Sequence, residues 1–262
     1  MKKTIHFLLL LMIFFVVTAC SNEMKDQTPE EVELIISAAA SLQDAFVPIQ
    51  KEFEEKYPTI KLVFNFGGSG ALQQQISQGA PADLFFSAAT DKFDTLINEG
   101  LINEEDGVQL LGNEIVLVIP KDHKNGVTSF DDLSNASKIS IGTPESVPAG
   151  QYGKEALENM EIWNEIEDKI VYAKDVRQVL TYVETNNIDA GIVYKTDAVS
   201  SNKVEIVASA DADSHPPIIY PVGVIKDSKH RNEALKFYEF LQTKNTIKTF
   251  EEFGFKGLIE AK

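Results

Sequence analysis

The segment VELIISAAASL, residues 32–42, leads a short apolar run into a helix with only a few small residues between them. Val32 to Ser37 predicts a buried strand. Ser41 and Asp44 have the spacing of a capping box, which predicts that a helix opens at this point. One face of that helix keeps the i, i+3, i+4 rhythm of buried positions, namely Leu42, Ala45, Phe46, Ile49 and Phe53. The segment therefore predicts one strand–turn–helix unit.

The same unit recurs along the rest of the chain. Further strands are predicted at Lys61–Phe66, Asp83–Ser87, Glu114–Ile119, Ile139–Ile141, Ile170–Ala173, Ala190–Val193 and Ile218–Ile225. Helices are predicted at Ala71–Gln78, Asp91–Asn98, Gly150–Asn159, Val176–Thr185, Asn232–Thr243 and Asn245–Phe253. Strands that alternate with helices indicate an α/β fold with mainly parallel sheets flanked by helices.

Two long strand-like segments divide this pattern into three blocks. Gly112–Pro120 and Ile218–Lys226 bracket the middle of the chain, and each is a candidate crossing between two lobes. We therefore expect one lobe from residues 32–112 together with 222–262, and a second lobe from residues 113–221.

The N-terminus has the pattern of an export signal over residues 1–19. Lys2 and Lys3 precede an apolar run that is shorter than the ~20 residues of a membrane-spanning helix. The single cysteine of the chain, Cys20, follows this run in a Val-Thr-Ala-Cys string that resembles a bacterial lipobox, in which the thiol is diacylated. Residues 20–31 are polar, as expected for a flexible tether. We expect a lipid anchor on the extracytoplasmic face of the membrane; the alternative is an ordinary signal peptide with an incidental cysteine.

The charge balance limits the class of partner. Asp and Glu total 40 against 24 Lys and Arg, a formal net charge of −16, which becomes −18 if the signal leaves with Lys2 and Lys3. Nucleic-acid binding needs a basic face, and the sequence has none. A hydrophobic fraction of 44% excludes a wholly disordered chain.

Four strand-to-helix turns are candidates for a ligand site: Ala38–Leu42, Gly67–Gly70, Val147–Gly150 and Asp175–Gln178. Ligands of open α/β sheets lie outside the carboxyl ends of the strands. Each turn exposes backbone N–H groups at the positive end of a helix dipole, which favours an anion without Lys or Arg. The alternative for each turn is an ordinary helix cap or chain reversal, including a second capping box at Asp175 and Gln178.

Catalytic motifs are mostly missing from the sequence. Ser69 fails the nucleophile-elbow pattern because Ala71 replaces the second glycine. The three histidines beyond the export signal, His123, His215 and His230, lack metal-ligand spacing. The acidic run Glu104–Asp106 is interpreted as a solvated face. We therefore expect no enzyme and no cofactor, with a lipid-anchored hydrolase using Ser41 or Ser69 as a distant alternative.

Six strings, in this order and spacing, give the chain a specific resemblance. They are Ala38–Leu42, Gly79–Phe85, Leu111–Asn113, Val147–Gly150, Asp175–Arg177 and Gly191–Tyr194. From about Glu33 to the C-terminus the chain resembles the molybdate-binding proteins of bacterial ABC importers. The resemblance implies the two-lobed α/β fold of type II periplasmic binding proteins, which close on an oxyanion in the cleft between the lobes.

The resemblance also implies a ligand shell. Its members fall on the hydroxyls and N–H groups of Ser41 and Ser69, the N–H groups of Ala149 and Val176, and the phenol of Tyr194. They contact the oxygens of the oxyanion and not its metal. The chain departs from the family at the second turn, where other members often carry further serines and this one has Gly68 and Gly70.

The function implied by the resemblance is capture of molybdate, and of tungstate, for a membrane permease with its separate ATPase. We expect a monomer. A different ligand of the same cleft, such as sulfate, phosphate or a small organic anion, is the alternative that the residues leave open.

Overall fold

The computed structural model describes residues 31–121 and 126–260. The predicted export signal, Cys20, His123 and all of the predicted tether except its last residue lie outside the described residues. From Val32 onward the described residues form one compact unit. Within the described ranges, no helix combines the length and the apolar character needed to cross a membrane.

Eleven strands are present in the described chain: β1 (Val32–Ala39), β2 (Ile60–Gly67), β3 (Leu84–Phe86), β4 (Ile102–Gly112), β5 (Ile115–Pro120), β6 (Ile139–Gly142), β7 (Ile170–Ala173), β8 (Ala190–Tyr194), β9 (Val204–Ser209), β10 (Ile219–Ile225) and β11 (Lys256–Gly257). The α-helices there are α1 (Gln43–Lys56), α2 (Ser69–Ser77), α3 (Thr90–Asn98), α4 (Pro148–Asn159), α5 (Trp163–Ile166), α6 (Val176–Glu184), α7 (Lys195–Val199), α8 (Arg231–Leu241) and α9 (Lys244–Glu252). Short 3₁₀ turns occur at Ala40–Leu42, Phe130–Asn135 and Glu167–Lys169. Every predicted strand and helix is present, with ends that shift by one or two residues.

The strands form two sheets, and each sheet is mixed. The first has the order β11-β4-β10-β3-β1-β2 and the second the order β7-β6-β8-β5-β9. Strands joined through helices, such as β1 with β2 and β6 with β7, pair in parallel, whereas β10 and β5 pair with both of their neighbours in the antiparallel sense. The expectation of mainly parallel sheets is therefore corrected, because β5 and β10 enter their sheets directly from the other sheet and not through a crossover helix.

The chain passes between the two sheets twice. It leaves the first sheet at Gly112 and enters the second at Ile115, and it returns between Ser209 and Ile219. The two passages lie side by side, since Ile219 pairs with Gly112 and Asn113 N–H donates to the Ile218 carbonyl at 3.2 Å.

The core beneath the first sheet is rich in phenylalanine. All five positions predicted for the buried face of α1 are buried. Phe46 lies at the centre of this core, with its ring centroid 4.6 Å from Phe64 and about 6 Å from Phe86, Phe237 and Phe250. Helices α1, α8 and α9 therefore pack together on one face of the sheet and fix the position at which α1 begins.

Sequence patterning missed β4, β9, β11 and the short helices α5 and α7. Strand β4 was hidden by its acidic run, of which only Glu104 and Glu105 are exposed. Asp106 is buried and accepts two hydrogen bonds from Arg231 Nη2, at 2.8 and 2.7 Å. The interpretation of the whole run as a solvated face is therefore wrong for Asp106. Burial opposes ionisation of this carboxyl, but the hydrogen bonds from Arg231 and Asn103 lower its pKa.

Candidate functional site

All five residues proposed for the ligand shell line one cavity between the two sheets. The cavity is lined by Ala39, Ala40, Ser41, Gly67, Gly68, Ser69, Ala88, Val147, Pro148, Ala149, Val176 and Tyr194. The cavity has a volume of about 190 Å³, below the roughly 300–1,000 Å³ of pockets for drug-sized ligands, so it suits a small ligand.

Each of the five residues is at the end of a strand or the start of a helix. Ser41 is in the 3₁₀ turn that follows β1, Ser69 and Val176 are the first residues of α2 and α6, Ala149 is the second residue of α4, and Tyr194 is the last residue of β8. The first N–H groups of an α-helix have no partner within the helix, and they carry the positive end of its dipole. The cavity therefore collects helix starts from both sheets.

The capping box predicted at Ser41 is absent. Helix α1 has Leu42 at its N-cap, and no side chain caps it. The 3₁₀ turn intervenes between β1 and α1, so the Ser41 hydroxyl lies away from the first N–H groups of the helix and instead lies 2.9 Å from the Tyr220 hydroxyl. Ser41 is therefore not a helix cap, and it lines the cavity instead.

The second predicted capping residue is confirmed. Asp175 Oδ1 accepts a hydrogen bond from Gln178 N–H at 2.8 Å. Gln178 Oε1 in turn accepts from Lys174 N–H at 2.9 Å, one residue before the expected position. These two bonds fix the first turn of α6 and with it the orientation of the Val176 N–H group.

The hydroxyls of Ser69 and Tyr194 are both placed to donate. Ser69 Oγ accepts the Ala88 N–H at 2.9 Å, which leaves the serine proton for another acceptor. Tyr194 is 1% exposed, and its hydroxyl has no hydrogen-bond partner in the described part of the chain. Burial raises the pKa of Tyr194 well above its ordinary value, so the phenol keeps its proton. Buried polar groups are rarely left unpaired, and this one lies on the cavity wall.

The lining of the cavity is electrically neutral. Only three of its lining side chains are polar, those of Ser41, Ser69 and Tyr194, and none is charged. Among residues 31–121 and 126–260, no cluster of three His, Cys, Asp or Glu side chains could hold a metal ion. The arrangement can therefore surround an anion with hydroxyl and backbone N–H donors, and it offers no general base or metal ligand to a reaction.

The two sheets are in contact beside the cavity. Gly70 N–H, from α2, donates to the Ser146 carbonyl at 2.9 Å, which lies just before α4. A Cβ atom on Gly68 would lie 2.7 Å from the Ser146 oxygen, and one on Gly70 would lie 2.8 Å from the Ser146 Cα. Gly68 and Gly70 therefore lie in the contact between the two sheets.

A cluster of charged side chains also joins the two sheets. Arg177 donates to Asp44 at 2.8 and 3.4 Å, which joins α6 of the second sheet to α1 of the first. Arg177 is also 3.7 Å from Asp197, a fully buried carboxyl whose oxygens have no hydrogen-bond partner in the described residues. Burial raises the pKa of Asp197 to about 7, against the opposing attraction of Arg177.

Sequence reasoning missed the polar residues behind the cavity. Tyr220 and Thr196 are buried and are linked to each other through Asn113. The string Leu111–Asn113 pointed to the right position without indicating a role. A tyrosine within an otherwise apolar strand was the one available signal for Tyr220.

The chain is similar to known solute-binding proteins. The family described as bacterial extracellular solute-binding proteins matches residues 34–256. The chain is 56% identical over 255 residues to a candidate ABC transporter substrate-binding lipoprotein, YvgL, of Bacillus subtilis strain 168, covering 97% of this chain and 98% of that protein.

Two further relatives carry names that mention molybdenum. The molybdate-binding protein ModA of Haemophilus influenzae is 37% identical over 233 residues, covering 86% of this chain and 90% of that protein. Among solved structures, the substrate-binding domain of a candidate molybdenum ABC transporter from Clostridium difficile is 44% identical, with a TM-score of 0.67, and the match covers 87% of this chain and all of that one.

Proposed function

Because the chain belongs to the family of bacterial extracellular solute-binding proteins and is the substrate-binding protein of an ABC transporter, we propose that its solute is molybdate. It has the two-lobed fold of type II periplasmic binding proteins, and its family binds solutes and does not transform them. The observation that carries the proposal is the cavity that Ser41, Ser69, Ala149, Val176 and Tyr194 line together, whose lining includes no charged side chain.

The proposed binding exchanges hydration for neutral donors. Three hydroxyls and four backbone N–H groups would replace the water around a tetrahedral dianion. A hydrogen bond to a charged group contributes a net ~1.5–3 kcal/mol, and closure of the lobes excludes the remaining water. Such a site favours an anion that carries no proton of its own, because a protonated oxygen would find no carboxylate among the lining side chains.

The size of the anion would provide the selectivity. Molybdate and tungstate have nearly the same size, so we propose that both bind. Sulfate is smaller and would leave some of the donors too far away to form hydrogen bonds. Sulfate, or another tetrahedral oxyanion, is the alternative ligand of the same cleft.

The proposal also covers delivery of the anion to a permease and attachment of the protein to the membrane. The two lobes are residues 32–112 with 222–262 and residues 113–221, except that residues 219–221 already pair in the first sheet as the start of β10. The closed, loaded form docks on a permease that is driven by a separate ATPase. Acylation of Cys20 and the tether of residues 20–31 hold this monomer on the extracytoplasmic face of the membrane. The word lipoprotein in the name of the Bacillus subtilis relative supports the anchor.

Calorimetric titration of the purified protein with molybdate, tungstate, sulfate and phosphate tests the proposal. We expect tight binding of molybdate and tungstate, much weaker binding of sulfate, and no detectable binding of phosphate. Sulfate that binds as tightly as molybdate would disprove the size selectivity. Heat from phosphate alone would show that the cleft takes a protonated anion.

A further inference from the structure

Asn113 lies between the two sheets, and all of its polar side-chain atoms are engaged. Its side chain, 9% exposed, donates from Nδ2 to the Tyr220 hydroxyl at 3.1 Å and to Thr196 Oγ1 at 3.0 Å. Its Oδ1 accepts the Glu114 N–H at 2.9 Å. Because a backbone N–H can only donate, this last bond fixes which end of the amide carries the protons. Asn113 is therefore a donor to both hydroxyls.

The first hydrogen bond leaves the Tyr220 proton available for a second one. Tyr220 accepts from Asn113, and its hydroxyl lies 2.9 Å from Ser41 Oγ, a contact in which either hydroxyl can donate. Burial raises the pKa of Tyr220 well above its ordinary value, so the phenol keeps its proton and can donate it to Ser41. In that arrangement Ser41 accepts from Tyr220 and directs its own proton elsewhere. Ser41 lines the cavity, so the remaining direction is toward the ligand.

The second bond of Asn113 reaches the segment that follows strand β8 of the second sheet. Thr196 is buried and lies two residues after Tyr194, whose hydroxyl lies on the cavity wall. One amide group therefore contacts both the Tyr220 hydroxyl, which is the neighbour of Ser41, and the chain segment that carries Tyr194.

We propose that Asn113 and Tyr220 are positioning residues for anion binding, which act by turning the Ser41 proton into the cavity and by holding the Tyr194 segment against it. The proposal rests on the proposed anion-binding function, and it adds two residues that do not touch the ligand. Hydroxyls that are oriented before the anion arrives need no reorganisation when it binds, which favours affinity.

A double-mutant cycle in the full chain tests the link between Tyr220 and Ser41. We measure the dissociation constant for molybdate by calorimetry in Tyr220→Phe, Ser41→Ala and the combined variant. Tyr220→Phe should weaken binding about tenfold, because the Ser41 hydroxyl loses its imposed direction. In the Ser41→Ala background the same change should have almost no further effect, since residues that act through one another are not additive. Tyr57→Phe, which removes a phenol far from the cavity, is the matched control.

The outcomes separate the two proposals. If the unaltered chain binds none of the four oxyanions, the proposed function fails and this inference fails with it. If the unaltered chain binds molybdate but the losses from Tyr220→Phe and Ser41→Ala simply add, Tyr220 only supports the fold and this inference alone is overturned. Asn113→Ala gives a second measure, and it should weaken binding at least as much as Tyr220→Phe because it also releases Thr196. Urea unfolding of each variant shows that the ligand-free chain is folded.

Discussion

Tyr194 places a buried hydroxyl on the wall of the cavity. In the loaded form this hydroxyl would donate a hydrogen bond to the anion, and the phenylalanine variant would lose that donor. We therefore predict that Tyr194→Phe weakens molybdate binding by about 1–3 kcal/mol. Calorimetry measures the loss, with the half-exposed Tyr172→Phe as control. Unchanged affinity would remove Tyr194 from the ligand shell.

Asp197 makes stability depend on pH in the direction opposite to a usual carboxylate. Burial raises its pKa in the folded chain to about 7, above the ordinary value of 3.8. Between these pH values the folded state binds more protons than the unfolded state, so this group makes the free energy of unfolding fall as pH rises. The fall is at most about 1.4 kcal/mol per pH unit and ends above pH 7.

Asp197→Asn should remove this dependence and leave a more stable protein at alkaline pH. The measurement is urea unfolding of both proteins across the pH range, with the difference between them taken at each pH. That difference cancels the carboxyls of Asp106 and Glu114, whose pKa values are lowered and whose contributions have the opposite sign. A difference that stays constant with pH would contradict the assignment.

The glycine-rich turn between β2 and α2 contacts the opposite lobe on one side, so a side chain added on that side would hinder closure. A Cβ on Gly70 would press on the Ser146 backbone, whereas a Cβ on Gly67 would meet only the Leu72 side chain at an ordinary 3.5 Å. We predict that Gly70→Ala destabilises the closed form by about 1–3 kcal/mol and weakens binding roughly 5–150-fold. Gly67→Ala, in the same turn, also changes a residue of the cavity lining, but its methyl group would meet the Leu72 side chain and not the opposite lobe, so it should lose clearly less affinity than Gly70→Ala.

Calorimetry on the two alanine variants checks this prediction. The unfolding free energy of the ligand-free Gly70→Ala chain should stay near that of the wild type, since an open cleft leaves room for the methyl group. Equal losses of affinity in both variants would show that the turn is sensitive to any side chain, and the lobe contact would then not be the cause.

The strand–turn–helix elements were predictable because their apolar periodicity and their helix-start residues are local properties. Asp175 illustrates this, since its cap depends on a residue three positions away. Ser41 illustrates the limit, because its partner Tyr220 is 179 positions away and no local pattern encodes that contact. Strand β4 was missed for the same reason: the charge of Asp106 is neutralised by Arg231, 125 positions later. The five residues of the proposed shell were found from ordered strings that carry a family resemblance, whereas the buried polar residues behind the cavity are visible only in the fold.

At the scale of the whole molecule, the Asp44–Arg177 pair ties the two lobes together. Its side chains are about a third exposed, so solvent screens the attraction. We predict that Asp44→Asn weakens molybdate binding by about 0.5–1 kcal/mol, with the loss seen in faster dissociation because only the closed form contains the pair. Stopped-flow kinetics measure both rate constants. Glu55→Gln, which breaks an exposed pair with Lys51 in the same helix, should change neither rate.

The two passages between the sheets form a two-segment hinge. They leave the first sheet from paired residues, Gly112 and Ile219, and are bonded again one residue further on, where Asn113 meets Ile218. A single connecting segment would allow one lobe to twist, slide or rotate relative to the other. Two segments that are hydrogen-bonded side by side restrict twisting and sliding, so that hinge bending is the easiest motion. The walls of the cavity must then separate together, so the anion loses all of its hydrogen bonds to one lobe in one step. Dissociation of the anion should therefore follow a single exponential, with no intermediate in which only some of those hydrogen bonds are broken.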